Sequence, residues 1–395
     1  MAYDSRVMKA SSNVAAVIGI GATDFAADYK ASRSGKPPAT DIYGYAARAF
    51  KLALEDSGLR RYEIDGLIAS QVPYMRLEEI LGLRLEWSID SFWPDVALTQ
   101  AVYAIASGRA ECIALVQACN YRGRGSRFGG PQAEGGESVP QYFYYKPWGF
   151  TSQGAFDAAV VQRYMETYGL THRQLGQVAV AQRAWARLNP NAIMQSPMTI
   201  EDYLSSPFVA APLRLLDYCL VNDGGVAMIV TTLERARRIR KHPVVTIKGI
   251  GWGEDNIDIA QFRPKLMFNR HQMEHAARQV FNMAGVSPQD IDLFYFYDNF
   301  SGELFYTLEN YGFCAQGRAA EFVQNKGIGP GGKFPVNTSG GMLSEAYMQG
   351  WNAQAEAVRQ LRGEAGERQV TDCRLAQFVV SQNAKAGAVI YERLE

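Results

Sequence analysis

The chain has 395 residues, a length that can bury a large core and predicts two domains or two packed halves. Its 40 basic and 40 acidic side chains balance, which argues against a nucleic-acid-binding protein, because such proteins usually carry a basic excess. No apolar run approaches about 18 residues and the N-terminus lacks an apolar signal core, so we expect no membrane segment. The five cysteines are scattered and never in C-x-x-C spacing, which predicts reduced thiols in a cytoplasmic protein.

The first part of the chain alternates predicted strands and helices. A β-branched run over 14–20 that ends in Gly-Ile-Gly predicts a strand, and a second strand is predicted over 64–69. Between them, residues 43–54 have the apolar spacing of a helix. A helix is predicted over about 94–106, with proline in its first turn, and a buried strand over 112–117 follows it.

The middle of the chain changes character. Residues 120–150 are rich in glycine, arginine, tyrosine and phenylalanine, which predicts a long loop of the kind that is usually functional or disordered. Helices are predicted over about 153–168 and 171–188, and a turn that leads into a strand over 217–230. We expect the region 120–212 to be an inserted lid.

The second half repeats the first. VVTIKGIG resembles the earlier VAAVIGIG, and AGVSPQDIDLFYF resembles SGLRRYEIDGLIA, so that Asp292 corresponds to Asp65. A duplicated β-α-β unit at so long a period does not fit a solenoid. It predicts two similar α/β halves packed face to face, 1–235 and 243–395, with the lid or loop insertion at about 120–212.

Two short motifs in the second half each lie where an apolar run ends and helical spacing begins. Residues 293–296 predict a buried strand that stops at Tyr297. The motif NTSGG, from Asn337, places two glycines where the backbone must turn tightly, and we predict that a helix carrying Tyr347 follows it. Because open α/β sheets keep their ligand sites at such strand ends, both tyrosines become candidate functional residues.

The motifs YDNF, ENYGFC and NTSGG, together with AIASGRAECIALV and DYCLVNDGGVAMIV, resemble the thiolase superfamily over nearly the whole chain. Within it, the chain is most similar to the lipid-transfer-protein (sterol-carrier-protein-x) branch. This resemblance implies an α/β fold of the thiolase-like five-layer αβαβα type, with two similar halves and an inserted lid or loop region. It also implies a homodimer.

The departures from the family pattern lie at its catalytic residues. Ser91 occupies the place of the nucleophilic cysteine, and an alcohol there needs an adjacent base. Tyr297 and Tyr347 replace the two family histidines, and the place of the second catalytic cysteine falls in QNAKAG, which has no thiol. A working thiolase is therefore not expected. The double histidine-to-tyrosine change resembles the thiolase-like aldolases of steroid and bile-acid side-chain degradation, which act with a small OB-fold, zinc-ribbon-type companion subunit.

That resemblance implies retro-aldol cleavage of a bulky 3-hydroxyacyl-CoA thioester, of a steroid or similar side chain. The products are a ketone or aldehyde and propionyl- or acetyl-CoA, with no covalent acyl-enzyme and no cofactor, since CoA is part of the substrate. Tyr297 is assigned to the hydroxyl proton and Tyr347 to the enolate carbon, with the reverse assignment left open. The amides at Ser91 and Gly387 lie where the family keeps an oxyanion hole, and Asn299 adds another donor.

The glycine-rich loop offers a second set of candidates. Arg122, Arg124 and Arg127 are predicted to bind CoA phosphates, because guanidinium groups grip phosphate with paired hydrogen bonds. The alternative for these three residues is a mobile, charged loop tip.

Other interpretations remain open at this point. Tyr297 and Tyr347 belong to 21 tyrosines, many of which must simply pack in a core. Ser91 fits a helix N-cap better than a nucleophile. Residues 271–275 (HQMEH) match the H-x-x-E-H pattern of zinc peptidases, but we expect them on a solvated helix face and predict no metal site. Two rival functions are a non-catalytic acyl-CoA- or lipid-binding subunit of a heteromeric complex, and a thiolase-like acyltransferase that uses Ser91.

Overall fold

The computed structural model describes residues 11–34, 40–126, 146–148, 152–255, 271–382 and 385–394. The strands in this part of the chain are β1 (Ala15–Ala22), β2 (Gly66–Ser70), β3 (Trp87–Asp90), β4 (Cys112–Asn120), β5 (Phe208–Ala210), β6 (Leu213–Arg214), β7 (Asp223–Thr232), β8 (Val245–Glu254), β9 (Leu293–Phe296), β10 (Leu375–Gln382) and β11 (Lys385–Arg393). The helices are α1 (Phe25–Ser32), α2 (Ile42–Ser57), α3 (Tyr74–Leu81), α4 (Pro94–Ala106), α5 (Gln153–Tyr168), α6 (His172–Ala186), α7 (Ile200–Ser205), α8 (Leu233–Ile239), α9 (His271–Ala284), α10 (Glu303–Asn310), α11 (Ala319–Lys326), α12 (Gly341–Ser344) and α13 (Trp351–Arg362).

Nine of these strands form one hydrogen-bonded sheet in the order β3-β2-β4-β7-β1-β8-β11-β10-β9. The first five strands come from the N-terminal half and the last four from the C-terminal half. The two halves meet through a short antiparallel contact of β1 with β8, in which Ala16 faces Thr246 and Val17 faces Val245. Strands β5 and β6 form a separate hairpin.

The helices divide into an inner pair and two outer layers. Helix α2 packs on β1 and β7 of the N-terminal half, and α9 packs on β8 and β11 of the C-terminal half. Helices α4 and α13 contact strands of both halves, and their apolar side chains share one buried cluster with the inner strand faces. The layers therefore follow the order helix, strand, helix, strand, helix, which confirms the thiolase-like five-layer αβαβα architecture.

The sequence repeat corresponds to repeated structural detail. Asp65 accepts hydrogen bonds of 2.9 and 2.8 Å from the two backbone amides at the start of β4. Asp292 accepts two of 2.8 Å from the amides at the start of β10. A Cβ atom on Gly21 of β1 would lie 2.3 Å from a carbonyl oxygen of α2, and one on Gly251 of β8 would lie 2.2 Å from a carbonyl oxygen of α9. In each half, glycine at this position removes a side chain that would collide with the outer helix, and the helix can therefore lie close to the strand.

Several predicted elements form with the predicted bounds, and one does not. Helix α4 begins with Pro94 in its first turn, where the fixed φ of proline suits a helix start, and β9 covers the predicted residues 293–296. Helix α2 ends at Gly58, whose φ of 75° is the left-handed conformation of a helix-ending glycine. The prediction that Tyr347 lies on a helix is wrong. Helix α12 stops at Ser344, and Tyr347 lies in the connection to α13.

The inserted region packs on the C-terminal half. Residues of α5 and α6 belong to one apolar cluster with Phe300, Leu304 and Ile328. Residues 127–145 and 149–151 of this region lie outside the described residues. The lid role of the insertion and the division of the chain at 235–243 stay predictions. Among the described helices, none has both the length and the apolar character needed to cross a bilayer.

Candidate active site

Tyr297 and Tyr347 meet at one point, although they come from separate segments. Tyr297 directly follows β9, and Tyr347 lies between α12 and α13. Their phenol oxygens are 2.9 Å apart, within hydrogen-bond distance, and their rings cross at 70°. Tyr297 is buried, with 4% of its surface exposed, whereas Tyr347 is only partly buried, so a ligand can approach the pair from the side of Tyr347.

The first motif is held against the second by polar side chains. Asn337 accepts a 3.0 Å hydrogen bond from the Phe296 amide and donates one of 3.1 Å to the carbonyl of the same residue. Asp298 accepts hydrogen bonds of 2.8 and 3.2 Å from the amides of Met342 and Leu343. These contacts fix the end of β9 against the turn that precedes Tyr347.

The backbone around Tyr347 is held from the other side. The side-chain oxygen of Asn222 accepts a 2.7 Å hydrogen bond from the Tyr347 amide. The buried carboxylate of Glu345 accepts hydrogen bonds from Asn189 at 3.0 Å and Asn352 at 2.6 Å. The Tyr347 amide thus bonds to a side chain from a distant segment and not to a carbonyl of the preceding helix.

Two further aromatic residues, which the sequence did not single out, complete the surroundings of the pair. The Trp93 indole packs edge-on against the Tyr297 ring, with ring centres 5.6 Å apart. The ring of Tyr121, which follows β4, lies 5.7 Å from that of Tyr347. Like Tyr297, Tyr121 comes shortly after a predicted strand, and this is the one sequence signal that could have identified it as a candidate site residue. The pair therefore lies between two further aromatic rings, one on each tyrosine.

Burial sets the protonation state of the pair. Loss of water raises the pKa of Tyr297 and the pKa of Tyr347 well above the usual value of a phenol. Both side chains are therefore neutral at physiological pH. A neutral phenol can donate one proton and accept another, and the hydrogen bond between the two oxygens gives a path for a proton from one to the other.

The thiols nearest the pair are not activated. The Cys119 sulfur lies 3.9 Å from the Tyr347 carbonyl oxygen and 3.7 Å from the Met348 sulfur. The amide of Cys219 bonds to the carbonyl of Asn299, two residues after Tyr297. Burial raises the pKa of both thiols, so they stay protonated. Since the thiolate is the nucleophilic form of cysteine, neither residue replaces the missing thiolase nucleophile.

Two predictions about Ser91, as an oxyanion donor and as a helix N-cap, are not met in the structure. Its amide donates a 2.8 Å hydrogen bond to the carbonyl of Ala69 and is therefore not available as an oxyanion donor. The N-cap residue of α4 is Trp93, so the interpretation of Ser91 as the N-cap is also wrong. The Ser91 hydroxyl lies 3.5 Å from the Trp93 carbonyl oxygen, and no imidazole or carboxylate of the described residues accepts a hydrogen bond from it. A serine without a base is a poor nucleophile.

The other two predicted oxyanion donors lie in different environments. Gly387 is inside β11, paired with Val380 and Trp252, and a Cβ atom there would lie 1.6 Å from a carboxylate oxygen of Asp95. The role of its amide stays a prediction. The side chain of Asn299 is buried, and neither of its polar atoms finds a hydrogen-bond partner among the described residues. Asn299, two residues after Tyr297 in the chain, therefore carries an amide without a partner in the described structure, and its role as a donor stays a prediction.

Asp95 is a further polar residue in this region that sequence reasoning missed. Its carboxyl group is 1% exposed, and neither oxygen has a hydrogen-bond partner among the described residues. Burial raises the pKa of Asp95 to about 7. The signal in the sequence was a single charged residue in the first turn of a helix whose other residues are uncharged.

The predicted CoA-binding arginines are only partly described. Arg122 lies over the ring of Tyr29, with 4.8 Å from its guanidinium carbon to the ring centre, and Arg124 lies 5.2 Å from the ring centre of Tyr121. Arg127 lies outside the described residues. The Tyr121 ring thus contacts both Arg124 and Tyr347. Binding of CoA by these arginines stays a prediction.

The H-x-x-E-H motif lies on the first turns of α9. His271 is exposed, as expected for a solvated helix face. Both ring nitrogens of His275 face nitrogen atoms of its own helix, at 2.8 Å from Gln279 and 3.3 Å from Arg278. Within the described residues, three potential ligand groups converge only at Asp56, His242 and Glu364, where the Arg362 guanidinium lies 2.7 Å from Asp56. Such a cation competes with a metal ion for the same carboxylate.

Comparisons with known proteins identify relatives of this chain. Residues 255–389 match the family described as thiolase C-terminal domain-like. The chain is 37% identical over 369 residues to 17-hydroxy-3-oxo-4-pregnene-20-carboxyl-CoA lyase of Mycobacterium tuberculosis, covering 89% of this chain and 92% of that protein. It is 34% identical over 365 residues to the steroid side-chain-cleaving aldolase of Thermomonospora curvata, covering 88% and 90%. A solved structure, the Ltp2-ChsH2(DUF35) aldolase, superposes with a TM-score of 0.84 at 30% identity, covering 97% of this chain and 99% of that one.

Proposed function

The chain belongs to the thiolase superfamily, in its sterol-carrier-protein-like branch, and we propose that it is a carbon–carbon lyase that cleaves a bulky 3-hydroxyacyl-CoA thioester. The products are a ketone or aldehyde and propionyl- or acetyl-CoA. Relatives that are 37% and 34% identical over most of their length carry lyase and aldolase names, which supports this reaction class. Their names also support a steroid as the part of the substrate that becomes the ketone.

The hydrogen bond between the two phenols is the observation that carries the proposal. A retro-aldol reaction needs a group that takes the β-hydroxyl proton, a group that stabilises the enolate and a group that protonates Cα. It needs no nucleophile. A neutral pair with oxygens 2.9 Å apart can accept a proton at one end and donate a proton at the other.

The proton transfers balance within the pair. As the β-hydroxyl proton passes to Tyr297, Tyr297 passes its own proton to Tyr347 across their 2.9 Å hydrogen bond, so neither phenol takes on a charge. The bond between Cα and Cβ breaks, and its electron pair, held as the thioester enolate, takes the proton that Tyr347 releases to Cα. The reverse order uses the same bond. Both phenols end in their starting state and no electrons leave the substrate, so the reaction as written requires no cofactor.

Other side chains are assigned to binding. We assign the unpartnered amide of Asn299 to the thioester oxygen, where it stabilises the enolate. We assign Arg122 and Arg124 to the CoA phosphates, because both follow β4 beside Tyr121, close to the partly exposed side of the pair. The acyl group then reaches the phenols from the side of Tyr347.

The assembly is part of the proposal. The solved structure that superposes with a TM-score of 0.84 is an aldolase named for two components, Ltp2 and ChsH2(DUF35). We propose that this chain likewise acts with a second component, a small companion subunit, and that it forms a homodimer, as the family resemblance implies. The two rival functions find less support, since the Ser91 hydroxyl has no base among the described residues and a non-catalytic subunit has no need of the phenol pair.

A direct assay tests the proposal. The purified chain, alone and with a companion subunit from its native host, is incubated with 17-hydroxy-3-oxo-4-pregnene-20-carboxyl-CoA, the thioester in the name of the M. tuberculosis relative. We expect a steroid ketone and propionyl-CoA in equal amounts, and in D2O one solvent-derived deuterium in the propionyl group. Absence of a carbonyl product in both preparations would refute the lyase. Free CoA together with an ester on Ser91 would favour the acyltransferase.

A further inference from the structure

The carboxylate of Asp298 links the two segments that carry the phenols. Asp298 follows Tyr297 in the chain, and its side chain is 1% exposed. One oxygen accepts the amide hydrogen bonds of Met342 and Leu343, at 2.8 and 3.2 Å. The other oxygen has no hydrogen-bond partner among the described residues. The hydrogen bonds of this side chain are thus directed at the turn that leads to Tyr347.

The backbone of that turn is shaped around the same carboxylate. Gly340 and Gly341 have φ values of 105° and 61°, which side-chain-bearing residues rarely adopt. A Cβ atom on Gly341 would lie 2.2 Å from the bonded oxygen of Asp298. The glycine therefore allows the backbone to approach the carboxylate, and six residues later the chain presents Tyr347.

We infer, on the basis of the proposed function, that Asp298 is a positioning residue that sets the distance between the two phenol oxygens. Its carboxylate bonds to backbone amides and not to either phenol oxygen. It holds the segment of Tyr347 at a fixed place relative to Tyr297, and the proton transfer between them requires hydrogen-bond distance. Since a misplacement of about 1 Å can cost about 100-fold in rate, this indirect role has a large expected effect.

Two substitutions separate geometry from charge. Asp298→Ala removes both amide contacts, so we expect kcat to fall about 100-fold with KM unchanged, because substrate binding uses other residues. Asp298→Asn keeps an oxygen that can accept the same two hydrogen bonds, and we expect kcat within a few-fold of the wild type. The matched control is Asp292→Ala, which also removes a carboxylate that accepts two amides next to β9, but at the far end of the strand. It should leave kcat unchanged.

Crystal structures of the variants measure the position directly. In Asp298→Ala we expect the phenol oxygens to be farther apart than about 3.5 Å, the limit of a hydrogen bond, and in Asp298→Asn to keep the wild-type distance. If Asp298→Ala does not fold, Gly341→Ala serves instead, because its methyl group must displace the carboxylate.

The outcomes are distinct. Wild-type kcat in Asp298→Ala, an equal loss in Asp298→Asn, or lost activity with an unchanged phenol distance would each overturn the positioning role. If the wild-type protein cleaves no 3-hydroxyacyl-CoA, the proposed function fails, and the oxygen distance in the Asp298→Ala crystal still decides whether Asp298 positions the pair.

Discussion

Tyr297 and Tyr347 share a 2.9 Å hydrogen bond between their phenol oxygens, at the two positions where the family resemblance places histidines. Two imidazoles would bring a group that changes charge near neutral pH. Two buried phenols stay neutral, since burial raises both of their pKa values. The change suits a reaction in which protons move between substrate atoms and no acyl group is held by the protein.

Removal of either hydroxyl from the pair should stop turnover. Tyr297→Phe and Tyr347→Phe each break the proton path, and we expect kcat to fall by about 100-fold or more, as is typical for loss of a general acid or base. The lost hydrogen bond should cost only about 1 kcal/mol of stability. Steady-state kinetics and thermal unfolding measure both effects.

A tyrosine in a different buried cluster provides the control. Tyr45 is buried in α2 on the outer face of the N-terminal half, and Tyr45→Phe removes a hydroxyl from the same kind of side chain. It should retain wild-type kcat. Near-normal turnover in Tyr297→Phe or Tyr347→Phe would exclude that residue from the mechanism.

The hydroxyl of Ser91 should be dispensable. It lies 3.5 Å from the Trp93 carbonyl oxygen and has no base beside it in the described structure. We therefore expect Ser91→Ala to keep kcat within a few-fold of the wild type, and intact-protein mass spectrometry to find no acyl adduct during turnover. Complete loss of activity in Ser91→Ala, or a trapped ester, would contradict the non-covalent mechanism.

The cysteines should be inert to alkylation in the folded protein. Burial raises the pKa of all five thiols, so little thiolate exists at pH 8. Incubation with iodoacetamide at pH 8 should leave the lyase active, and peptide mass spectrometry should find the five residues unmodified. The same treatment in denaturant should modify all of them, which checks the reagent. Rapid inactivation with label on Cys119 or Cys219 would indicate an activated thiol near the pair.

The stability of the protein should depend on pH through Asp95. Its pKa is raised by burial to about 7 in the folded state, against about 3.9 in an unfolded chain. Between these values the folded state holds the proton and the unfolded state does not, so the contribution of Asp95 to stability is most favourable below about pH 4 and becomes less favourable as pH rises to about 7. The loss is at most about 4 kcal/mol, from three units of about 1.36 kcal/mol each.

Asp95→Asn tests this dependence, because the amide has nearly the shape of the carboxyl group and no charge to bury. We expect the variant to be more stable than the wild type at pH 8 and to lose most of that advantage at pH 5. Urea unfolding at the two pH values measures the difference, and other titrating groups cancel since both proteins share them. An equal difference at pH 5 and pH 8 would show that Asp95 carries no such proton.

The local pattern of the chain was enough to locate many elements. The proline at the start of α4, the apolar spacing along α2 and the short apolar run of β9 predicted these elements, because such preferences act between near neighbours. The prediction of a helix at Tyr347 was wrong because this segment is fixed by a contact with a distant part of the chain. The Tyr347 amide bonds to Asn222, which is distant in sequence, and helical spacing contains no information about such a partner.

For the site, the sequence by itself determined which residue types were present: two phenols in place of two histidines, and no thiol in place of the nucleophile. Only the tertiary structure decided that the phenol oxygens meet at 2.9 Å, that the Ser91 amide is already bonded, and that Asp298 joins the two motifs. The physical reason is that a side chain's chemistry is fixed by its covalent structure. Its partners, its burial and hence its pKa depend on which distant segments the folded layers bring into contact.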